Sequence, residues 1–415
     1  MRTIIIRSFV FLVVCIFACG APFVITAGSA AEKEPIKLGH VYVMSGGAAM
    51  YGKNSAAATQ IAIDEINKAG GVLGRPLEVI FRDTKMSPDV GVREAKNLVL
   101  NEKVFMLTGS LSSGVALAIS AYAKEQKILY FNSMAHTPKL TNEEGHRYFF
   151  RWSTNSTTQH KSGALAAAKH WGHKKVVIVA PDYEYGKSFQ RIFWKFYPQY
   201  VPGAKTVSEI WIPLGTKDFT PYITKLMGLD TELVASALYG GMQLAFGKQA
   251  KPFGLYDKFH FYGASDADTY ALYPMKPGDP GSKGSLSTDR YPSWMGINAK
   301  SDAFVKKFRE KTGRIPEFGS ACQYISMHAL ADAIEEAGSL DTEKIIVALE
   351  GKVFDTLLGK IEMRACDHQF QTPLWIGIMG HTPDYQNLHI TQRDKFDNPY
   401  VNYDTCEEVM ALRKK

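Results

Sequence analysis

Two loops rich in small hydroxyl side chains follow consecutive apolar strands in the first third of the sequence. The first, "LTGSLSSGVALAIS" at 107–120, places Ser112 and Ser113 directly before a predicted helix. The second, "SMAHTPKLT" at 133–141, places Thr137 before Pro138, the order expected of a helix N-cap and the first helical residue. Free backbone N–H groups and hydroxyls at neighbouring strand ends favour a small anion. The two loops therefore predict a carboxylate-binding site.

Three tyrosines stand in strand–helix loops that would face the same cleft. Tyr51 lies in "SGGAAMYG", Tyr185 in "DYEYG" and Tyr239 in "ALYGG". One such tyrosine is usually a packing residue. Three of them at strand ends around one cleft predict the walls of a ligand pocket, with hydroxyls available for hydrogen bonds.

The motifs of several enzyme classes are missing from the sequence. In "GSLSSG", Leu111 occupies the position that a nucleophile elbow gives to serine. In "PDYEYGKS", Pro181 stands where a phosphate-binding loop needs its first glycine. His170 and His173 flank "WG" at a helix end and are interpreted as surface residues. We therefore expect a binding protein with no catalytic residues, no metal and no cofactor.

The elements that would position these residues alternate between strand and helix from Ile36 onward. Apolar stretches such as "PLEVIFRD" predict strands, and longer stretches such as "AAATQIAIDEINKAGG" predict amphipathic helices. This alternation is typical of βαβ units with parallel sheets that are covered on both faces. It occurs in two successive runs, 36–150 and 160–265, before two further helices and two further strands. A chain of 415 residues thus predicts two α/β lobes and a tail that returns to them.

The first thirty residues predict a cleaved signal peptide. Arg2 and Arg7 precede a long apolar stretch, and small residues follow at 27–31. A proline interrupts the apolar stretch, so a membrane anchor is the less favoured interpretation. Phe17 is bulky for a lipid-attachment motif, so lipid anchoring at Cys19 is not expected. The mature chain is expected to be exported and soluble.

The charge of the chain is mild. Removing Arg2 and Arg7 leaves 46 basic and 41 acidic residues, a net charge of +5. The basic residues are scattered rather than clustered, so the sequence does not predict nucleic-acid binding.

Three cysteines remain after cleavage of the leader: Cys322, Cys366 and Cys406. In an oxidising compartment, one disulfide and one leftover thiol is the simplest arrangement. Cys366 and Cys406 both lie in loop-like sequence near the C-terminus, so we predict that they pair. Cys322 opens a helical segment and is predicted to be a buried free thiol. "CDH" at 366–368 could bind a metal, but a disulfide explains its cysteine more simply.

Taken in order, the motifs resemble those of exported solute-binding proteins of the leucine/isoleucine/valine-binding family, which are type I periplasmic binding proteins of ABC importers. The N-terminal signature is "GHVYVMSGGAAMYGKNSAAATQIAIDEINKAGGVLGRPLEVIFRD", and the "GGVLGRPLE" turn within it is specific. The motifs "GSLSS", "HTPKLT", "RYFFR", "DYEYGKSF" and "RIPEFGSACQYISMHAL" extend it over nearly the whole mature chain.

The resemblance implies two Rossmann-like lobes, each with a doubly wound parallel sheet, joined by three hinge strands and closing over the ligand. After the signal peptide at 1–30, the chain is expected to cross between the two lobes near 154, 286 and 372. The first lobe is expected to comprise 36–153 with 287–371. The second is expected to comprise 154–286 with 372–415.

The resemblance also implies which first-lobe residues bind the ligand. Ser113, with Ser112 beside it, matches the serine that binds the ligand carboxylate. Met134 matches a position that contributes a backbone group. His136 replaces the family's threonine two positions later, with Ala135 between them, and would offer an imidazole donor instead.

The remaining pocket positions carry a departure from the family pattern. Tyr51 matches a tryptophan of the pocket, and Tyr185 and Tyr239 match second-lobe tyrosines. Ser265 stands where the family has an acidic partner for the ligand ammonium, with Asp266 adjacent. A buried ammonium needs a carboxylate or comparable acceptors. If Asp266 reaches the cleft, an α-amino acid fits; if it does not, the ligand is expected to lack an amine.

The function that the resemblance implies is that of a periplasmic substrate-binding protein of an ABC importer. It would capture a small carboxylate, with a branched-chain amino acid favoured, and deliver it to a permease and ATPase complex at the inner membrane. The alternatives are a binding protein for aromatic or aliphatic acids without an amine, and a periplasmic amide- or urea-type sensor. An exported hydrolase lacks the required motifs. The protein is expected to be a monomer.

Overall fold

The computed structural model of the chain describes residues 33–267, 270, 272, 275, 284–393 and 403–414. The predicted signal peptide and most of a stretch rich in Gly, Pro and Ser at 273–287 lie outside the described residues. None of the helices in the described ranges is long and apolar enough to cross a bilayer.

A five-stranded parallel sheet organises the first part of the chain. The elements in order are β1 (Ile36–Tyr42), α1 (Ala49–Lys68), β2 (Leu77–Asp83), α2 (Pro88–Leu100), β3 (Met106–Gly109), α3 (Ser113–Gln126), β4 (Tyr130–Asn132) and β5 (Phe149–Arg151). The strands lie in the spatial order β2-β1-β3-β4-β5. β3, β4 and β5 are buried along their whole length, because helices cover both faces of the sheet.

A seven-stranded sheet organises the second part of the chain. It is built with α4 (Ser156–His170), β6 (Lys175–Pro181), α5 (Glu184–Tyr200), β7 (Lys205–Ile212), α6 (Thr220–Met227), β8 (Leu233–Ser236), α7 (Gly240–Ala250), α8 (Leu255–Lys258), β9 (His260–Gly263) and β10 (Leu286–Asp289). The strands β7, β6, β8, β9 and β10 are neighbours in that order and run parallel.

The remainder of the chain adds elements to both sheets. It forms α9 (Ala299–Thr312), α10 (Phe318–Ala337), α11 (Thr342–Leu349), β11 (Val353–Thr356), β12 (Gly359–Glu362), β13 (Trp375–Thr382), β14 (Tyr385–Arg393) and α12 (Cys406–Arg413). α10 packs against α1 in one hydrophobic core on the first sheet. β13 and β14 extend the second sheet as antiparallel strands. We call the first sheet with α1–α3 and α9–α11 the first lobe, and the second sheet with α4–α8 the second lobe. The predicted two-lobe α/β fold is confirmed.

Three segments run between the two lobes: the one between β5 and α4, the one after β10, and the one that follows β12 and leads to β13. β11 and β12 pair with each other in a separate two-stranded sheet. The first and third of the three segments are hydrogen-bonded to each other. Thr154 Oγ1 lies 2.5 Å from Thr372 Oγ1, and Gln369 Nε2 donates to the Ser153 carbonyl at 2.7 Å. The lobe boundaries expected from sequence stay a prediction, and β10 pairs with both β9 and β13 within the second sheet.

The C-terminal helix α12 is covalently fastened to the chain segment after β12. Cys366 and Cys406 form a disulfide, which confirms the predicted pairing, and Cys322 is a buried free thiol. Arg413 of α12 donates to the Thr141 carbonyl at 2.8 Å and to the Cys366 carbonyl at 3.3 Å. The end of the chain is therefore held against loops beside the first lobe.

Candidate ligand-binding site

The loop after β3 brings Ser113 to the cleft between the lobes. The backbone passes through left-handed conformations at Gly109 and Ser110, with φ of +112° and +76°. A side chain at Gly109 would stand 2.7 Å from the Val41 carbonyl oxygen, so this turn requires glycine. Ser113 is buried at the start of α3, and its Oγ accepts from the Thr137 N–H at 3.3 Å. That bond leaves the hydroxyl proton of Ser113 for another acceptor.

A buried asparagine joins the two loops that the sequence singles out. Asn132 Nδ2 donates to the carbonyls of Gly109 and Ser110, at 2.5 and 3.0 Å. Its Oδ1 accepts from the N–H groups of Met134 and Ala135, at 3.1 and 2.7 Å. The backbone N–H of Met134 is therefore already bonded, and Met134 lines the cavity. Ala135 is fully buried in the hydrophobic core and does not line it.

Arg151 holds the second of these loops from behind. Its guanidinium donates to the carbonyls of His136 and Thr137, at 3.0 and 2.6 Å. Arg151 is fully buried, and this burial lowers the pKa of its guanidinium to about 9. The contacts are to the backbone, so Arg151 acts as a positioning residue for His136.

His136 and Arg290 form a buried pair that lines the cavity. An Arg290 N–H donates to His136 Nε2, and the guanidinium carbon lies 3.4 Å from the centre of the Phe318 ring. Burial and the neighbouring charge of Arg290 hold the pKa of His136 well below its usual value. The imidazole is therefore neutral and accepts a hydrogen bond at Nε2, which leaves its proton on Nδ1. The role of imidazole donor to the ligand, implied by the resemblance, stays a prediction.

The second lobe contributes an aromatic wall from the loops before α5 and α7. Tyr183 OH donates to Tyr239 OH at 3.0 Å, and Tyr185 OH lies 3.2 Å from Ser265 Oγ. The rings of Tyr185 and Tyr239 meet edge to face, with centroids 5.7 Å apart. Tyr51 of α1 approaches Tyr239 from the first lobe, with centroids 6.1 Å apart. Burial raises the pKa of Tyr239 to about 12, so its phenol remains protonated.

Asp266 does not reach the cavity. It is almost fully buried, and its Oδ2 would stand 2.0 Å from a side-chain carbon added to Gly263, so the carboxylate lies against that backbone. Its charge also contributes, after burial, to the raised pKa of Tyr256. Ser265, the preceding residue, does line the cavity. The described lining residues therefore include no carboxylate that could accept a ligand ammonium.

The space between the walls of the cavity is about 360 Å³, a volume that includes open solvent. It is lined by Tyr51, Leu111, Ser113, Met134, His136, Tyr183, Tyr185, Tyr239, Ser265, Arg290 and Phe318. Seven predicted site residues are thus brought together, whereas Ser112, Ala135 and Asp266 do not line the cavity. Among the described lining residues Arg290 alone carries a formal charge. One cation, several hydroxyls and flat aromatic walls can hold a small anion with a planar apolar body.

Four lining residues were not predicted from the sequence: Leu111, Tyr183, Arg290 and Phe318. Tyr183 could have been found, since it stands in the same "DYEYG" loop as Tyr185. Arg290 and Phe318 lie after the second run of strands and helices, beyond the loops that the sequence indicates. In the described part of the chain no three His, Cys, Asp or Glu side chains are grouped as a metal site would require.

Comparison with known sequences places this architecture in a family. The sequence profile of the family described as "Periplasmic binding protein" matches residues 35–380. A Leu/Ile/Val-binding protein homolog of Brucella melitensis is 25% identical over 377 residues, 86% of this chain and 86% of its own. The leucine-, isoleucine-, valine-, threonine- and alanine-binding protein of Pseudomonas aeruginosa is 26% identical over 332 residues, 79% of this chain and 85% of its own.

Solved structures share the fold. The solute-binding protein of an ABC transporter from Rhodopseudomonas palustris, in complex with 3,4-dihydroxybenzoic acid, superposes with a TM-score of 0.78 at 24% identity, covering 87% of this chain and 97% of that one. A branched-chain amino acid transporter substrate-binding protein from Streptococcus pneumoniae, in complex with isoleucine, superposes with a TM-score of 0.73 at 23% identity, covering 86% and 99%. The same fold thus holds both an aromatic acid and an aliphatic amino acid.

Proposed function

Because the chain belongs to the periplasmic binding protein family, we propose that it captures a small aromatic carboxylate between its two lobes for an ABC importer. The observation that carries this proposal is the charge of the cavity: Arg290 lines it, and no carboxylate does among the described residues. A ligand carboxylate buried there gains an opposite charge, whereas the described lining residues offer none to a ligand ammonium.

In this proposal Arg290 and Ser113 bind the two oxygens of one ligand carboxylate. A guanidinium presents N–H donors in a planar fork that matches the two oxygens of a carboxylate, and one N–H of Arg290 donates to His136. The Ser113 hydroxyl stands on the first-lobe side of the same cavity. In this proposal the carboxylate is bound by Arg290 and Ser113 with charge-assisted hydrogen bonds.

Aromatic side chains suit a flat ligand body better than a branched aliphatic one. The aromatic rings that line the cavity include those of Tyr51, Tyr185, Tyr239 and Phe318. Rings stack on or meet edge to face with another ring, and such pairs contribute about 0.5–1.5 kcal/mol beyond area burial. The relative from Rhodopseudomonas palustris, solved with 3,4-dihydroxybenzoic acid, supports this ligand class.

A branched-chain amino acid is the second candidate. The names of the curated relatives favour it, and it is the ligand of the Streptococcus pneumoniae protein. It requires an acceptor for the ammonium other than Asp266, such as the Tyr185 and Ser265 hydroxyls, which bond each other at 3.2 Å.

The proposal includes export, closure and delivery. The segment 1–30 directs export to the periplasm and is removed. The lobes, 36–153 with 287–371 and 154–286 with 372–415, turn about the connecting segments and close on the ligand. The closed monomer then delivers its ligand to a membrane permease and its ATPase, and no bond in the ligand is made or broken.

Calorimetry with benzoate, 4-hydroxybenzoate, leucine, isoleucine and valine tests the ligand class. We expect the benzoates to bind and the Arg290→Gln variant to bind them at least tenfold more weakly, about 1.4 kcal/mol, because the buried cation is lost. Arg93→Gln is the matched control, since Arg93 is exposed and pairs with Glu94 on the surface. Binding of the amino acids alone, or unchanged benzoate affinity in Arg290→Gln, would reject the proposal.

A further inference from the structure

A second and larger chamber adjoins the cavity at the lobe interface. The space between its walls is about 980 Å³, a volume that includes open solvent. The first lobe contributes Gly47, Ala48, Tyr51 and Met86, and the second contributes 214–217, 239–242 and Ala245. We call this space the outer chamber and the ligand cavity described above the inner cavity.

Tyr51 and Tyr239 line both spaces and form the boundary between them. Gly240, which has no side chain, lies beside the Tyr51 ring: a carbon added to Gly240 would lie 3.1 Å from that ring. Gly240 also has a φ of +55°, a conformation that glycine adopts without strain. The boundary between the two spaces is therefore formed by two aromatic rings. One of them, the Tyr51 ring, lies beside the backbone of Gly240.

The two spaces differ in chemistry. Ser113, His136 and Arg290 line the inner cavity and do not line the outer chamber. Most side chains that line the outer chamber are apolar: Ala48, Met86, Leu214, Met242 and Ala245. Thr216 and Lys217 are the polar ones apart from the two boundary tyrosines. A ligand whose carboxylate is bound by Arg290 would thus direct its opposite end toward Tyr51, Tyr239 and the outer chamber.

We propose that the outer chamber holds an apolar substituent carried by the aromatic acid opposite its carboxylate. This inference rests on the proposed function and names its substrate class as para-substituted aromatic acids. The ring would occupy the inner cavity between the tyrosines. The substituent would pass between Tyr51 and Tyr239 and pack on Met86, Met242 and Ala245. Burial of its methylene groups strengthens binding in proportion to the apolar area removed from water.

Calorimetry with benzoate, 4-butylbenzoate and 2-butylbenzoate tests this assignment. In the unmodified protein we expect 4-butylbenzoate to bind at least tenfold more tightly than benzoate. The 2-isomer places the same chain beside the carboxylate, away from the outer chamber, and is expected to bind no more tightly than benzoate.

Two variants fill the outer chamber without touching the inner cavity. Ala245→Phe narrows it from α7, and Leu214→Trp narrows it from an exposed loop, where folding is little affected because Leu214 is 43% exposed. Each is expected to weaken 4-butylbenzoate at least tenfold and leave benzoate within twofold. Leu100→Trp, at an exposed leucine of α2 that does not line the outer chamber, is the matched control and should change neither.

The outcomes separate the two proposals. If benzoate binds but 4-butylbenzoate binds no better, or if both filling variants leave the butyl acid unaffected, the outer chamber is not a substituent site. If neither acid binds, the proposed function itself fails and this inference falls with it.

Discussion

Glu317 is a buried carboxyl group next to the cavity residue Phe318. Asn54 Nδ2 donates to its Oε2 at 2.8 Å, and the Ser320 N–H donates to its Oε1 at 3.2 Å, as an N-cap of α10. Burial raises its pKa to about 7, against an ordinary value of 4.5. Between these two pH values the folded state binds more protons than the unfolded state. The free energy of unfolding therefore falls as the pH rises from about 4.5 to 7, by at most about 3 kcal/mol.

The variant Glu317→Gln is expected to lose this pH dependence, since glutamine fills the same space without ionising. Urea unfolding at pH 5 and at pH 7.5 measures it: the decrease in unfolding free energy should be smaller in the variant than in the unmodified protein. Glu310→Gln, at an exposed position of α9, should leave the decrease as it was. An equal decrease in Glu317→Gln would show that this carboxyl group does not titrate in the window.

The residues of the cavity could be predicted from sequence only where a local pattern marks them. Ser113, Tyr51, Tyr185 and Tyr239 follow strands in loops of recognisable composition, and the structure brings them together. Arg290 carries no such pattern, because it meets His136 across 154 positions of sequence. The orientation of Asp266 was equally out of reach, since a one-residue difference within a turn decides whether Ser265 or Asp266 faces the cleft.

The N-terminus of α5 carries a contact between the lobes that lies outside the inner cavity. Glu184, its first residue, accepts a hydrogen bond from Thr137 Oγ1 at 2.9 Å and pairs with Lys139 at 3.4 Å. Thr137 and Lys139 belong to the first-lobe loop behind His136. Glu184 does not line the inner cavity, so it stabilises the approach of the lobes rather than the ligand directly.

The variant Glu184→Ala is expected to weaken ligand binding three- to tenfold, because a ligand that binds the closed state must then also supply the lost contact energy. Calorimetry gives the affinity, and small-angle scattering gives the compactness of the unliganded protein, which should fall. Asp182→Ala is the control, since Asp182 pairs with Lys187 within the second lobe at 2.8 Å. Equal effects of the two substitutions would argue against a role in closure.

The alternation of apolar strands and longer helices was sufficient to predict most of β1 to β9 and the helices between them. Their buried strands are continuous apolar runs, such as the 175–181 stretch of β6, which any covered parallel sheet requires. The C-terminal strands β13 and β14 were harder. The sequence "LWIGIM" predicts a strand at β13, but its antiparallel pairing with β10 depends on where the chain returns after α11, which no local pattern encodes.

Both the fold and the cavity depend on contacts between segments that are far apart in the sequence. No local sequence pattern predicts those contacts. α10 completes the core of the first lobe against α1, although Ala58 and Leu330 stand far apart in sequence. The core of the first lobe is therefore complete only after the chain has passed through the second sheet and returned to the first. The cavity depends on the same return of the chain, because Arg290 and Phe318 lie on segments that follow the second lobe in the sequence.

The disulfide between Cys366 and Cys406 closes a loop across a sequence separation of 40 and holds α12 in place. Cross-linking a loop of that length restricts the unfolded chain and is expected to contribute about 3–4 kcal/mol to the free energy of unfolding. Reduction, or the double variant Cys366→Ser/Cys406→Ser, should lower the melting temperature measured by circular dichroism. Neither cysteine lines the inner cavity, so the affinity for the ligand should be unchanged in calorimetry.

Reductant provides the internal control for this prediction. The melting temperature of the unmodified protein should fall when tris(2-carboxyethyl)phosphine is added, and that of the double variant should not move. Cys322 is a buried free thiol in both proteins, so any effect of the reductant on it is the same in both. A ligand affinity that falls together with the melting temperature would instead place α12 in the closure of the lobes, since Arg413 and the disulfide both fasten it beside the loop at 141–142.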